Sequence, residues 1–362
     1  MSFQNIAFDK MKQRLIAFYL PQFYPTPENN EWWEPGFTEW TNVAKSKPLF
    51  KGHYQPRIPR DLGFYDLRVP ETREHQAELA REAGIEGFCY WHYWFGNGKR
   101  LLDRVFNEVV TSGKPDYPFC LCWANHSWYA KTWNKDGTDK LLIEQKYPGE
   151  KDFIEHFYAM LPAFRDKRYM KINDRLIFGI FDPWNVDIIR MSKIWNELAQ
   201  QNGLLGFHFF ALCQGTDALK LIKKELFNSV VLDPLLDITD KPTIKKKKQK
   251  ANSKGKALYI KYEEYASTCI KKLSENPLSF PCIEPNFDHT PRSGTYARIL
   301  HNSTPEKWGE LCKSIAELYK HRPTEENLVF IKSWNEWGEG NYLEPDQKYG
   351  KGYIEEMSKI FK

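Results

Sequence analysis

Residues 328–340 read Leu-Val-Phe-Ile-Lys-Ser-Trp-Asn-Glu-Trp-Gly-Glu-Gly, and they pass from an apolar run into a mixed polar and aromatic cluster. A short apolar run is typical of a buried β-strand, so we predict a strand over residues 328–334. The same arrangement, an apolar run that ends in polar and aromatic side chains, recurs along the chain. It indicates a repeated architecture whose strand ends share one chemistry.

Strand and helix patterns alternate from one end of the chain to the other. The predicted strands cover residues 15–20, 85–91, 119–123, 176–181, 207–212, 229–232, 280–284 and 328–334. The helical patterns that follow them cover residues 71–83, 100–111, 150–163, 186–201, 216–226, 259–274, 305–320 and 352–361. Such alternation indicates a parallel sheet. Eight units favour a closed barrel over an open sheet. We therefore predict an α/β fold, a (β/α)8 TIM barrel with long βα loops that forms a single domain over residues 1–362.

Much of the positive charge lies in one lysine-rich segment. The chain carries 52 basic and 47 acidic residues, a net charge of +5, and Lys245, Lys246, Lys247 and Lys248 are consecutive. We predict a flexible lysine-rich loop at about residues 236–257. The rest of the chain is nearly neutral, which argues against a nucleic-acid partner. The alternative is that residues 245–248 contact an anionic partner. This partner would be either lipid, in a weak contact with a membrane surface, or polysaccharide.

The cysteine and histidine patterns argue against disulfide and metal sites. The seven cysteines are odd in number and include no CxxC pair, so they are predicted to be reduced and mostly buried. No HxH or HExxH motif and no phosphate-binding glycine loop occurs, so we expect neither a metal nor a cofactor. An acidic metal site built from Asp182, Asp233 and Asp288 is an open alternative.

The N-terminal residues lack the layout of a signal peptide. No run of 18 or more apolar residues occurs anywhere, so no transmembrane segment is expected. The simplest location is therefore the cytoplasm.

Aromatic and polar side chains collect at the predicted strand ends, where TIM barrels carry their function. Aromatic rings stack on the C–H faces of sugars, while amides, imidazoles and carboxylates bond the hydroxyls. The predicted ligand is therefore an oligosaccharide or polysaccharide. The predicted substrate-binding residues are Tyr19, Gln22, Glu39, Trp40, Trp91, His92, Tyr93, Trp123, Asn125, Asp182, Glu284, Trp334, Asn335, Trp337 and Tyr342.

Glu336 and Glu339 are the predicted catalytic residues. Both leave the end of an apolar strand within four positions. Glycoside chemistry uses two carboxyl groups, one protonated and one charged, and neighbouring Trp rings raise a carboxyl pKa by desolvation. Gly338 is expected to let the backbone turn between the two acids. The alternative without a catalytic role is a surface loop in which the two glutamates serve as salt-bridge partners.

Several long motifs resemble the WbsX-type proteins. These are residues 18–24 (FYLPQFY), 87–95 (GFCYWHYWF), 122–125 (CWAN), 334–340 (WNEWGEG) and 342–345 (YLEP), and the resemblance covers nearly the whole chain. Members of that family are typically encoded among bacterial surface-polysaccharide genes and carry a glycosyltransferase label. They are similar to glycoside hydrolase family 99, which comprises retaining endo-α-mannosidases on a (β/α)8 barrel.

The resemblance also implies roles for the two acids. Family 99 has a Glu-Trp-His-Glu segment after its last strand, and Glu336 and Glu339 match its acids. Glu339 would be the general acid/base. Glu336 would assist the attack of the sugar 2-hydroxyl on the anomeric carbon, which passes through an epoxide-like intermediate. Gly338 stands where family 99 has His.

We therefore expect a retaining, endo-acting glycoside hydrolase of α-linked surface polysaccharide or O-antigen. A glycosyltransferase of lipopolysaccharide, O-antigen or capsule synthesis is the alternative. A non-catalytic carbohydrate-binding barrel is the third hypothesis.

Overall fold

Eight parallel strands form the centre of the computed structural model, which describes residues 13–130 and 140–362. The strands are β1 (Arg14–Tyr19), β2 (Gly87–His92), β3 (Phe119–Trp123), β4 (Arg175–Ile180), β5 (Phe207–Gln214), β6 (Ser229–Asp233), β7 (Phe280–Ile283) and β8 (Leu328–Ile331). Each strand pairs with the next, and β8 pairs with β1, with Arg14 opposite Leu328. The sheet is therefore closed, which confirms the predicted (β/α)8 barrel.

Helices connect the strands and surround the barrel. They are α1 (Pro27–Trp32), α2 (Glu39–Lys45), α3 (Pro70–Ala83), α4 (Asp103–Ser112), α5 (Glu150–Phe164), α6 (Ile188–Gln201), α7 (Thr216–Leu221), α8 (Leu235–Thr239), α9 (Pro242–Asn252), α10 (Tyr262–Ser274), α11 (Thr290–Ser293), α12 (Pro305–Leu318) and α13 (Gly352–Phe361). Local sequence sets their ends. For example, Pro70 presets the first turn of α3, and Gly84 ends it in the left-handed conformation at φ 84°.

Short elements decorate the loops. They are the strand pairs Trp128–Ala130 with Lys140–Ile143, Ile260–Lys261 with Leu300–His301 and Asn335–Glu336 with Asn341–Tyr342, the strand Lys171–Ile172 beside β4, and the 3-10 turns Lys224–Leu226, Gly294–Tyr296, Thr324–Glu326 and Trp337–Glu339. Most of these lie on βα loops. Within the described residues, the loops at the carboxyl ends of the strands therefore carry regular structure of their own.

The barrel interior is packed with side chains. The rings of Phe210 on β5 and Phe330 on β8 lie 5.1 Å apart. Gly179 on β4 lacks a side chain because a Cβ there would collide with the ring of Phe210. Since side chains fill the interior, we expect a ligand to bind above the carboxyl ends of the strands.

Side chains alternate along each strand between the interior and the layer beneath the helices. Phe18 of β1 faces inward and stacks on Trp91 of β2, with ring centroids 4.6 Å apart and planes 12° apart. Its neighbour Tyr19 faces outward, and its hydroxyl donates to Gln76 of α3 over 2.7 Å. This alternation decides which residues at a strand end can reach a ligand.

The lysine-rich segment is helical, so the loop predicted at residues 236–257 is wrong over most of its length. Helices α8 and α9 occupy residues 235–239 and 242–252. Pro242 stands in the first turn of α9, and Lys, Gln and Ala are good helix formers. Local helix propensity therefore outweighs the repulsion between the lysines that favours a loop.

Within residues 13–130 and 140–362, no helix has the length and apolar character needed to cross a bilayer. The prediction about a signal peptide rests partly on residues 1–12, which lie outside the described residues. All seven cysteines lie inside them, and each is buried, which confirms the predicted burial.

Candidate active site

The two predicted catalytic acids flank a single turn above β8. Glu336 ends the short strand Asn335–Glu336, and Glu339 ends the 3-10 turn that follows. The side-chain amide of Asn335 accepts from Leu20 N over 2.7 Å and donates to Leu20 O over 3.1 Å. These two hydrogen bonds fix the turn that carries the acids to the end of β1. Asn335 therefore holds the backbone of the site in place.

Glu336 lies in a desolvated pocket with two neutral donors. Its residue is 6% exposed. Its Oε1 accepts from the indole Nε1 of Trp91 over 2.8 Å and from the hydroxyl of Ser333 over 3.0 Å. Burial, and then the charge of Glu336, raises the pKa of the Tyr93 phenol. Neutral donors hold the carboxyl in place without fixing its charge.

Glu339 lies against a full positive charge. Its Oε1 accepts from Nη1 of Arg292 over 2.6 Å, and Nε2 of His289 lies 3.8 Å away. Its side chain is 19% exposed, so it borders the mouth of the pocket. Arg292 and His289 lie in and just before α11, which follows β7. The loops after β7 and β8 therefore build this half of the site together.

These surroundings separate the pKa values of the two acids. Burial raises the pKa of Glu336 to about 7, and the charge of Glu339 contributes to the rise. Burial acts in the same direction on Glu339, but Arg292 and then His289 outweigh it and lower that pKa to about 2. These surroundings therefore favour the proton on Glu336 and the charge on Glu339. This order is opposite to the roles that the family 99 resemblance implies.

Arg292 also bonds a third carboxylate, which explains Gly338. Its Nε donates to Oε2 of Glu39 over 3.1 Å, and Oε1 of Glu39 accepts from Gln22 over 3.0 Å. A Cβ on Gly338 would collide with Oε2 of Glu39. The backbone does turn between the two acids, in the 3-10 turn Trp337–Glu339, and glycine also leaves room there for the Glu39 carboxylate.

A buried ion pair lies beside the acids at the ends of β6 and β8. Nζ of Lys332 is 3.4 Å from Oδ2 of Asp233, and both side chains are at least nine-tenths buried. The lysine charge lowers the pKa of Glu336 and of Glu339. Glu284, at the end of β7, bonds the hydroxyl of Tyr265, and burial, then Asp233, raises its pKa well above the ordinary value. The surroundings of Glu284 therefore favour its protonated form.

Three predicted sugar contacts face away from the acids. Tyr19, His92 and Trp123 point into the layer between the barrel and its helices. Nε2 of His92 lies 2.6 Å from Nε2 of His156 on α5, and the ring of Trp123 lies 4.9 Å from the same imidazole. Adjacent residues of a strand face opposite sides, so Trp91 reaches Glu336 and its neighbour His92 does not.

Other predicted residues form the support of the site. The indole of Trp337 stacks on Tyr342 at 3.8 Å and donates to Glu344 over 2.6 Å. Trp40 donates to the carbonyl of Tyr65 over 2.8 Å, and Trp334 is fully buried. These rings hold the turn from below and present little surface to a ligand.

Asn125 and Asp182 join two neighbouring βα loops. The amide of Asn125 donates to the carbonyl of Asp182 over 2.7 Å and accepts from its N–H over 2.7 Å.

Among the predicted residues, the structure brings Trp91, Tyr93, Gln22 and Glu39 together with the acid pair.

The acidic residues of the alternative metal site have separate partners. Asp233 pairs with Lys332, Asp288 bonds His53 over 2.8 Å, and Asp182 bonds Asn185 over 2.7 Å. In the part of the chain that the structure describes, no group of three or more His, Cys, Asp or Glu side chains could hold a metal ion.

Arg292, His289 and Lys332 are site residues that the sequence did not reveal. Arg292 lies nine positions after the end of β7, where nothing in the spacing marks it. Lys332 did leave a signal, since a charged residue directly after the apolar run 328–331 must find a partner.

Comparison with known proteins adds a family and two structural neighbours. The model of the family "Glycosyltransferase WbsX" matches residues 15–357. A solved structure described as a glycoside hydrolase-like protein has a TM-score of 0.59 at 13% identity, with 98% of this chain and 96% of that chain covered. The family 99 endo-α-mannosidase from Bacteroides thetaiotaomicron, in complex with bis-tris-propane, has a TM-score of 0.56 at 14% identity, with 98% and 97% covered.

Two curated relatives are the uncharacterized protein WxcX from two strains of Xanthomonas campestris pv. campestris. They are 32% and 33% identical to this chain over 360 and 345 residues, covering 98% and 94% of it. The chain spans about half the length of these relatives, 50% and 48%. The two solved structures, at 13% and 14% identity, share the barrel fold with this chain. The chain belongs to the Glycosyltransferase WbsX family.

Proposed function

We propose that the chain is a glycoside hydrolase that cleaves α-linked sugars of bacterial surface polysaccharide, with Glu336 and Glu339 as its two carboxyl groups. The observation that carries the proposal is the contrast between their surroundings. Glu336 is buried beside the neutral donors Trp91 and Ser333, whereas Arg292 bonds Glu339 over 2.6 Å, so the pKa of the first is raised and that of the second lowered. Two carboxyls whose surroundings push their pKa values apart are the signature of an acid and its charged partner.

The charges assign a role to each acid. Glu336, protonated in part at neutral pH, donates its proton to the glycosidic oxygen of the leaving sugar. Glu339 stays charged beside Arg292 and assists the attack at the anomeric carbon, either directly or through the sugar 2-hydroxyl. The proton that Glu336 loses returns from the attacking water in the second step. Trp91 and Ser333 hold the Glu336 carboxyl in both protonation states because they donate one N–H and one O–H to it.

Exposed aromatic rings support a polymeric substrate. Trp33, Tyr129 and Trp184 are 48%, 49% and 46% exposed and lie on the loops after β1, β3 and β4. These loops lie on the same end of the barrel as the acids. Flat exposed rings suit the apolar faces of sugars, and several of them around one mouth favour an endo-acting enzyme that binds an extended chain.

The experiment is incubation of the pure protein with surface polysaccharide of its own source, followed by sizing and by measurement of new reducing ends. Shortened products from the wild type, and none from a Glu336→Gln/Glu339→Gln double variant of equal thermal stability, support hydrolysis. Unchanged glycan in both samples across several surface-polysaccharide preparations contradicts it.

Glycosyl transfer is the second candidate, and the family name favours it. A transferase of this kind would use the same acids but pass the sugar to another sugar in place of water. Calorimetry with sugar nucleotides separates the two, because a nucleotide-dependent transferase binds its donor without the polysaccharide. Lengthened products in the incubation would equally favour transfer over hydrolysis.

A further inference from the structure

The lysine helix, defined as α9 with its flanks over residues 241–256, carries an uncompensated positive charge. It holds eight lysines and no acidic residue, namely Lys241, Lys245, Lys246, Lys247, Lys248, Lys250, Lys254 and Lys256. No residue of α9 is buried. Among the ion pairs of the described residues, its lysines make one, between Lys245 and Asp240 at 3.3 Å. Most of this charge therefore faces solvent.

The helix holds these charges at repelling distances. Lys246 and Lys250 are four positions apart, and Lys247 and Lys250 are three apart, so their side chains share one face. Like charges at these spacings destabilise a helix. Burial, and then the charge of Arg298, lowers the pKa of Lys248. A bound polyanion would relieve this repulsion.

The lysine helix lies beside the loop that carries Arg292. It follows β6 through α8 and packs against the turn Gly294–Tyr296, which directly continues α11. Arg298, after this turn, bonds Asp240 at the end of α8 over 2.9 and 3.1 Å. The charge of Arg298 also lowers the pKa of Glu339. The lysine helix therefore borders the catalytic end of the barrel.

The composition of the helix argues against a membrane. A helix that lies in a bilayer surface needs a broad apolar face. The apolar residues of α9 are Ile244 and Ala251, and Ile244 packs partly against the protein core. In contrast, Tyr296, in the contact turn, and Tyr259, three positions after the lysine helix, are 45% and 42% exposed. Cationic side chains beside exposed rings suit a charged sugar chain.

We propose that the lysine helix binds a negatively charged stretch of polysaccharide and so selects acidic glycans for the active site. The inference rests on the proposed function, because it treats the bound chain as the substrate. Lysine ammonium groups on flexible stems can follow carboxylates or phosphates at irregular spacing along such a chain. The binding is electrostatic and weakens as salt rises.

The test measures binding of polygalacturonate, an α-linked carboxylated polymer, and of its fully methyl-esterified, neutral form. Affinity electrophoresis compares the wild type with a Lys246→Glu/Lys247→Glu/Lys250→Glu variant. Glutamate keeps the helix propensity. The control carries Lys167→Glu, Lys193→Glu and Lys313→Glu, which change three exposed lysines on other elements by the same total charge.

We expect the wild type and the control to bind polygalacturonate at low salt. We expect the lysine-helix variant to bind it at least about tenfold more weakly. Equal binding by the variant and the wild type overturns the inference. So does a difference between them that is seen only on phosphatidylglycerol vesicles. Binding needs no turnover, so failure of the hydrolase proposal appears separately, as an absence of shortened glycan despite lysine-dependent binding.

Discussion

Nη1 of Arg292 lies 2.6 Å from Oε1 of Glu339, and the two residues come from the loops after β7 and β8. The same guanidinium reaches Glu39, 253 positions away in the chain, over 3.1 Å. One arginine thus holds a carboxylate of the pair in its charged form and in a fixed orientation. The chemistry of the turn that carries the acids depends on a residue outside it.

Replacing Arg292 with Met should move the acidic limb of the pH profile. Without the guanidinium the pKa of Glu339 rises from about 2 toward the ordinary value near 4.3. A charged Glu339 is needed, so activity is lost below its pKa, and the loss should begin at a higher pH in the variant. The measurement is kcat/KM from pH 3 to 8. Arg292→Lys, which keeps a positive charge, should shift the limb less; coincident limbs in wild type and Arg292→Met would contradict the role.

Gly338→Ala should reduce activity through a clash with Glu39. The added Cβ has no room beside the carboxylate, so Glu39 and the guanidinium that it bonds must move. Overpacking of this kind costs about 1–3 kcal/mol, and the displaced Arg292 should lower kcat by about tenfold or more. The comparison variant is Gly309→Ala, where the added Cβ has a looser fit, with Oε2 and Cβ of Glu356 at 3.0 and 3.3 Å. Equal kcat in the two variants would argue against a tight fit at Gly338.

Lys332→Met should destabilise the fold. The change leaves Asp233 buried without its partner, and breaking a buried pair costs about 3–5 kcal/mol. Urea denaturation measures the free energy of unfolding, and a Lys332→Met/Asp233→Asn double variant should recover part of the loss. Lys359→Met, at an exposed pair, serves as the control and should change little. Wild-type stability in Lys332→Met would mean that the pair is not desolvated.

The His92–His156 pair should make stability depend on pH. Burial lowers both pKa values well below the ordinary one, so the folded protein keeps both rings neutral. The unfolded chain takes up protons below about pH 6.5. Stability is therefore complete above that pH and falls as the pH drops below it, by about 1.4 kcal/mol per pH unit for each proton. Unfolding free energies at pH 7.5 and 5.5 should differ less in His156→Gln than in the wild type; an equal difference would contradict the prediction.

The fold was predictable because local patterns carry it. Runs such as residues 119–123 and 328–331 are apolar and short, and amphipathic helices separate them. The lysine helix was missed because helix propensity and charge repulsion point in opposite directions there. The sequence alone did not show which of the two prevails.

The acid pair was predictable because both acids lie in one short motif. The rest of the site was harder, because it depends on strand parity and on contacts between distant loops. Tyr19, His92 and Trp123 stand at strand ends as predicted, but a shift of one residue along a strand reverses the face. Arg292 and Glu39 meet only in the folded barrel, so no local pattern could join them.

The most direct measurement compares Glu336→Gln and Glu339→Gln on the polysaccharide and on an α-glycosyl fluoride of the same sugar, since fluoride leaves without a proton. We predict that Glu336→Gln loses at least about 10²-fold in rate on the polysaccharide and little on the fluoride, whereas Glu339→Gln loses on both. Full turnover of the polysaccharide by either variant would contradict catalysis by this pair, and the opposite pattern on the fluoride would contradict the roles given to its members.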